Sequence, residues 1–323
     1  MTISELNRNN NLKIDDGDKA IRKWKGRSIA RVSNRHFVGR DEQADNKAIL
    51  LQPGRWEDYD PFLIMAEDWF STKGFDWHPH RGIETITVVL DGKLEHRDNR
   101  GGHGILNEGD VQWMTAGKGL LHREMAYQKQ PVHTLQLWLN LPSHKKMVEP
   151  KYQDLRSHLV PIRREPGVEV KVFSGQSGNV KGPAANYVPI TMLDISLKGN
   201  DDLSSSSSFI QEIPAGQEGF VYVLSGHVTF GPEGTPAAAG QIGHLAKTNP
   251  RDGPTRLTVN SKESSRFLLW AGQPLREPVV AHGPFVMNTR EQIVEAFSDY
   301  EAGLFGPILS TIGKKREHDG KSR

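Results

Sequence analysis

The 323-residue chain contains no cysteine. That absence excludes a disulfide framework, a thiolate metal site and a cysteine nucleophile, so a metal would have to be held by histidines and carboxylates. An excess of either charge is missing too. Forty-one Lys and Arg stand against 39 Asp and Glu, a formal net charge of +2, with no long block of one sign. This argues against direct nucleic-acid binding, which calls for a basic stripe. No stretch approaches the roughly 18 uninterrupted apolar residues of a membrane helix. Met1 to Asp18 is polar and lacks the apolar centre of a secretion signal. The expectation is a cytoplasmic protein with no membrane partner.

What the chain does have is a succession of short β-branched or alternating runs separated by Gly, Pro, Asp and Asn. Examples are Thr85-Ile86-Thr87-Val88-Val89-Leu90, Thr134-Leu135-Gln136-Leu137-Trp138-Leu139 and Phe220-Val221-Tyr222-Val223-Leu224. Many short strands with regular turn signals predict an all-β sandwich or barrel architecture. One helix is expected, from Thr289 to Ala302: Thr289 with Gln292 forms a capping-box pattern, Ile293, Phe297 and Tyr300 keep helical spacing, and Gly303 ends it. Its apolar face is expected to close a barrel rather than to receive a partner. The serine-rich stretch from Leu203 to Phe209 is expected to be a loop.

A weak internal repeat lays Leu90-Asp91-Gly92 on Leu224-Ser225-Gly226, and Gln136-Leu137-Trp138 on Leu268-Leu269-Trp270. Two similar barrels in tandem follow. Counting from those shared points puts Glu212 and Pro214 opposite His78 and His80, and Pro254 and Arg256 opposite His122 and Glu124. The second barrel is therefore expected to hold no metal.

Chemistry concentrates in two segments. In Trp77-His78-Pro79-His80-Arg81-Gly82-Ile83-Glu84, strand alternation would put His78, His80 and Glu84 on one face, so that two imidazoles share one ion. Gly119-Leu120-Leu121-His122-Arg123-Glu124 offers a second pair, an imidazole and a carboxylate two residues apart. Neutral imidazoles with one carboxylate suit Fe(II), Mn(II), Ni(II), Cu(II) or Zn(II), and four ligands leave positions open on an octahedral ion. His96, His103 and His133 could line the same cavity, although structural roles are the commoner outcome for such residues. Trp113, Met114 and Phe75 are expected in the core. Gly101-Gly102-His103-Gly104 opens no helix, so a phosphate-loop reading is discarded.

The stretch from Asp76 to Thr87, followed by Gly109-Asp110-Val111-Gln112-Trp113-Met114-Thr115-Ala116-Gly117-Lys118-Gly119-Leu120-Leu121-His122-Arg123-Glu124-Met125, closely resembles the pirin family of the cupin superfamily. Pro274 to Val279 and Gly283 to Thr289 resemble the C-terminal signature of the same family. The resemblance implies a bicupin fold, two tandem jelly-roll barrels with a short C-terminal helix. It divides the chain into a flexible tail over 1–20, a metal-bearing barrel over 21–160, a barrel without metal plus the helix over 161–303, and a tail over 304–323.

It also implies one divalent ion, iron, held by His78, His80, His122 and Glu124; the usual cupin pattern draws its carboxylate from the position of Glu84, which with Glu124 as the ligand is expected behind the imidazoles, where His96 could also stand. Enzymes of this kind open flavonols such as quercetin with O2 and release carbon monoxide, a reaction in which Glu124 would take the substrate's proton. Other members of the family are similar to iron-dependent regulators that bind a transcription factor or a metabolic enzyme without catalysis. A monomer is the expected state.

Overall fold

The computed structural model describes residues 24–199 and 207–308, so the expected tail over 1–20 and all but residues 304–308 of the one over 304–323 lie outside them. The short apolar runs form four main sheets that stack as two facing pairs, the bicupin arrangement. In the first pair a seven-stranded sheet runs, in spatial order, Lys151–Leu155, Val111–Thr115, Ile83–Asp91, Val132–Asn140, Phe62–Phe70, Asn46–Leu51, His36–Phe37. It faces a four-stranded sheet of Gly74–His80, Leu120–Ala126, Lys93–Asp98 and His103–Asn107. The second pair repeats the plan, with Ser265–Gly272 and Glu218–Ser225 at the centre of its own seven-stranded sheet.

The repeat expected from sequence matches this pairing. Gly92 and Gly226 both take positive φ, 79° and 76°, where the strands Ile83–Asp91 and Glu218–Ser225 end. Trp138 and Trp270 lie on the strands that pair with these two, but one residue out of register, opposite Thr85 and Phe220, and they pack in different clusters.

Strand Ile83–Asp91 is buried on both faces except at Asp91, because each face meets a different layer. Ile86, Val88 and Leu90 join Trp113, Leu135 and Leu137 in a core shared with Phe220, Tyr222 and Trp270 of the second half. Val89 points the other way, into a small cluster with Phe70, Leu94 and Leu106 inside the first barrel. The second barrel is filled instead by Val221, Val223, Phe230, Leu257, Val259 and Leu269. That apolar filling leaves the two interiors chemically unlike.

The termini cross between the halves. Strand Ile29–Asn34 pairs antiparallel with Gln241–Leu245 at the edge of the second half's large sheet. In return, the C-terminal segment from Val280 to Phe305 packs on the first half, where Phe285, Met287, Ile293, Ala296 and Phe305 cluster with Leu121 and Trp77. The helix in that segment spans Arg290–Glu301, with Thr289 and Gln292 closing both bonds of the capping box, and Gly303 follows at φ 74°. One sequence expectation needs correction. Ser207, Ser208 and Phe209 are not loop but the start of strand Ser207–Ile213, ordered by pairing with Thr255–Ser261.

Candidate metal centre

His78 and His80 lie on strand Gly74–His80, and the neighbouring strand Leu120–Ala126 sets His122 directly opposite His78. The ligand atoms of the three imidazoles all lie within 4.8 Å of one another, the only such group among the described residues. Their rings are close, with centroids 4.2 Å apart for His78 and His122 and 4.9 Å for His78 and His80.

Each Nδ1 is already engaged. His78 Nδ1 lies 2.7 Å from the Asp76 carbonyl, His80 Nδ1 lies 3.3 Å from the Pro284 carbonyl, and His122 Nδ1 lies 3.3 Å from His96 Nε2. Donation from Nδ1 fixes the tautomer that leaves Nε2 as a lone-pair donor. His122 Nε2 is buried and has no hydrogen-bond partner, which a core histidine would not tolerate without cost. Burial pushes the pKa values of His80 and His122 well below the ordinary imidazole range, with the neighbouring imidazoles adding to the effect, and it lowers that of the half-buried His78. Neutral, convergent imidazoles, one of them with a buried unpartnered nitrogen, suit a single metal ion.

Glu124 follows His122 by two residues on the same strand, across a register shift in the pairing with Gly74–His80. Its carboxylate stands outside the group of three imidazoles. Oε1 accepts from the Thr87 hydroxyl at 2.9 Å and Oε2 from Gln136 Nε2 at 2.6 Å. Burial raises its pKa, against those two hydrogen bonds.

The common face expected for His78, His80 and Glu84 does not form. Gly82, at φ 79°, turns the chain between Gly74–His80 and Ile83–Asp91, which belong to different sheets. Glu84 accepts instead from Thr115 Oγ1 at 2.6 Å, and burial raises its pKa. His96 does sit behind an imidazole, and burial lowers its own pKa to about 4.

His103 is half exposed beside Glu95, and His133 bonds Glu67 and stacks on Trp69. Trp113 and Met114 are buried, while Phe75 is half-buried against the small interior cluster. Sequence reasoning missed Thr87 and Gln136, which are partners across neighbouring strands.

A separate cavity of about 550 Å³ between the halves is lined by Trp56, Arg276 and Val279 among others and contains none of these imidazoles. In the second barrel the positions opposite the first site hold Glu212 and Arg256, which form an ion pair at 3.0 Å.

Residues 47–139 match the Pirin family, and residues 200–306 match the pirin C-terminal cupin domain. The chain is 42% identical to pirin of Homo sapiens over 245 residues, covering 75% of this chain and 81% of that one. The structure is similar to that of GK1651 from Geobacillus kaustophilus, with TM-score 0.75 and 43% identity over 79% of this chain and 100% of the other. It is also similar to a quercetin 2,3-dioxygenase from Acinetobacter baumannii, with TM-score 0.77 and 31% identity over 88% of this chain and 99% of the other. A bicupin with a three-imidazole site for one metal ion in its first barrel, the chain belongs to the pirin family.

Proposed function

We propose that the protein is a dioxygenase that opens the ring of flavonols such as quercetin, with iron(II) held by Nε2 of His78, His80 and His122 and by Glu124. Both atoms of O2 would enter the product, and one ring carbon would leave as carbon monoxide. The observation that carries the reading is the convergence of three imidazoles whose ligand atoms lie within 4.8 Å of one another, each with its Nδ1 engaged elsewhere. The likeness to the Acinetobacter baumannii quercetin 2,3-dioxygenase supports the substrate class.

Bound iron would supply a Lewis-acidic, redox-active centre with positions open to a phenolic oxygen and to dioxygen. The protein's own contribution is positional and acid–base. Asp76, Pro284 and His96 orient the imidazoles. Glu124, 2% exposed and with a raised pKa, would accept the flavonol's hydroxyl proton and hold it in a dry interior. Phe70, Val89 and Leu94 keep bulk water from the end of that interior.

The test is anaerobic loading with iron(II), followed by quercetin and O2. Loss of the flavonol absorbance band with one carbon monoxide released per turnover is expected, and the band should persist in Glu124→Gln that still holds iron. Full turnover by that variant would remove the proton-accepting role.

A second reading, a metal-dependent regulator that binds a protein partner, is favoured by one feature. The segment whose Pro284 carbonyl touches His80 also carries a helix with Val294 69% exposed, followed by Leu304 68% exposed. Absence of turnover with several flavonols would favour it.

A further inference from the structure

Glu124 is not free inside its barrel. Thr87 and Gln136 belong to the large sheet and pair directly across neighbouring strands, whereas Glu124 belongs to the small sheet that faces them. The carboxylate therefore spans the interior, with Oε1 on the Thr87 hydroxyl and Oε2 on Gln136 Nε2. The Thr87 hydroxyl also lies 2.7 Å from Gln136 Oε1, so its single proton is shared between that oxygen and the carboxylate, and the three residues form one cluster. Thr87 and Glu124 are buried, and Gln136 is half-buried. A carboxylate that swings toward the imidazoles must give up both bonds, and hydrogen bonds to a carboxylate in a dry interior are among the stronger ones.

We infer that Thr87 and Gln136 are positioning residues that compete with a bound ion for Glu124, and so set whether the fourth protein ligand is on or off the metal. This rests on the reading that Glu124 reaches the ion at all. The pair makes the carboxylate a reversible ligand: bonded to Thr87 and Gln136 it leaves a position open to substrate, and released from them it closes that position.

The sign of the effect separates this role from ordinary support. A residue that merely orients a ligand weakens metal binding when it is removed, roughly tenfold or more. A residue that holds a ligand away strengthens it.

The experiment uses the full chain and cobalt(II) as probe, with affinity measured by chelator competition and coordination by the visible absorption of the ion. Thr87→Val and Gln136→Met should each bind cobalt(II) more tightly than wild type, by roughly tenfold, with an absorption spectrum shifted toward higher coordination. Thr87→Ser, which keeps the hydroxyl, should return both readouts to wild type. The gain should vanish when Glu124→Gln is added to either variant.

Unchanged or weakened binding in Thr87→Val and Gln136→Met, with Thr87→Ser folded and wild-type in its spectrum, would overturn the inference. So would a gain that survives Glu124→Gln. Failure of the underlying reading looks different: Glu124→Gln alone would then leave the spectrum and affinity untouched in every background. Loss of saturable cobalt(II) binding in the wild type would reject the imidazole site itself.

Discussion

His96 Nε2 lies 3.3 Å from His122 Nδ1, so at this centre one imidazole orients another. His96 is fully buried on strand Lys93–Asp98, with Glu124 as its register partner on Leu120–Ala126. Because the pair is neutral, His122 keeps the tautomer that offers Nε2 inward without placing a carboxylate behind it.

His96→Phe fills the space but removes the acceptor. Affinity for a divalent ion should fall about tenfold, read by chelator competition, while the thermal midpoint without added metal changes little. Unaltered affinity would mean that the backbone alone fixes the His122 ring.

Asp68 gives a pH dependence with a defined sign. Its carboxyl is buried, its Oδ1 stands 3.7 Å from Lys47 Nζ, and burial pushes its pKa up to about 7 despite that lysine. Between the ordinary carboxylate value and about 7 the folded protein binds a proton that the unfolded chain does not, so this group's contribution to stability is lost as pH rises through that window. Asp68→Asn, which cannot ionise, should therefore gain stability relative to wild type at pH 8 but not at pH 4, by a few kcal/mol in denaturant titrations. An equal effect at both pH values would contradict the assignment.

The halves are joined by a polar clasp around Glu67. Its carboxylate accepts from Tyr222 Oη at 2.6 Å, Arg35 Nη1 at 2.9 Å and His133 Nε2 at 2.8 Å. The Tyr222 hydroxyl thus connects the second half's sheet to the first half's. Tyr222→Phe should cost about 1–2 kcal/mol, seen as a lower denaturation midpoint. A stability equal to wild type would show that packing alone holds the halves together.

Gly82, two residues after His80, is where the C-terminal segment presses against the turn that leaves the site. Its φ is 79°, and a Cβ there would sit 2.0 Å from the Val286 carbonyl oxygen. Lys146 Nζ bridges the same place, donating to the carbonyls of Gly82 and Val286 at 2.9 and 2.8 Å. Gly82→Ala should lower the thermal midpoint and weaken metal binding together, since His80 depends on the adjacent Pro284 carbonyl. A normal midpoint in that variant would mean the segment can lift away without harm.

The candidate ligands were legible in sequence because strand alternation is local: His78 with His80, and His122 with Glu124, need only one strand each to share a face. Glu84 was misplaced for the same reason, since alternation holds within a strand and fails across the turn at Gly82. The paired-sheet architecture was visible in the shared Gly and Trp positions, but the exchange of termini was not. Strand Ile29–Asn34 looks like any other edge strand, and only long-range register assigns it to the second half. Thr87 and Gln136 were overlooked because their role lies across the barrel, a relation that no spacing within the chain encodes.

The crossing of the termini bears on how the protein is made. On a ribosome the imidazole of His80 emerges 204 residues before the carbonyl that orients it. A nascent chain that has finished the first barrel's strands therefore still lacks one of its three ring anchors, the Pro284 carbonyl. A chain truncated ahead of Val280 would lack the Pro284 carbonyl and so leave His80 without the brace that aims its ring.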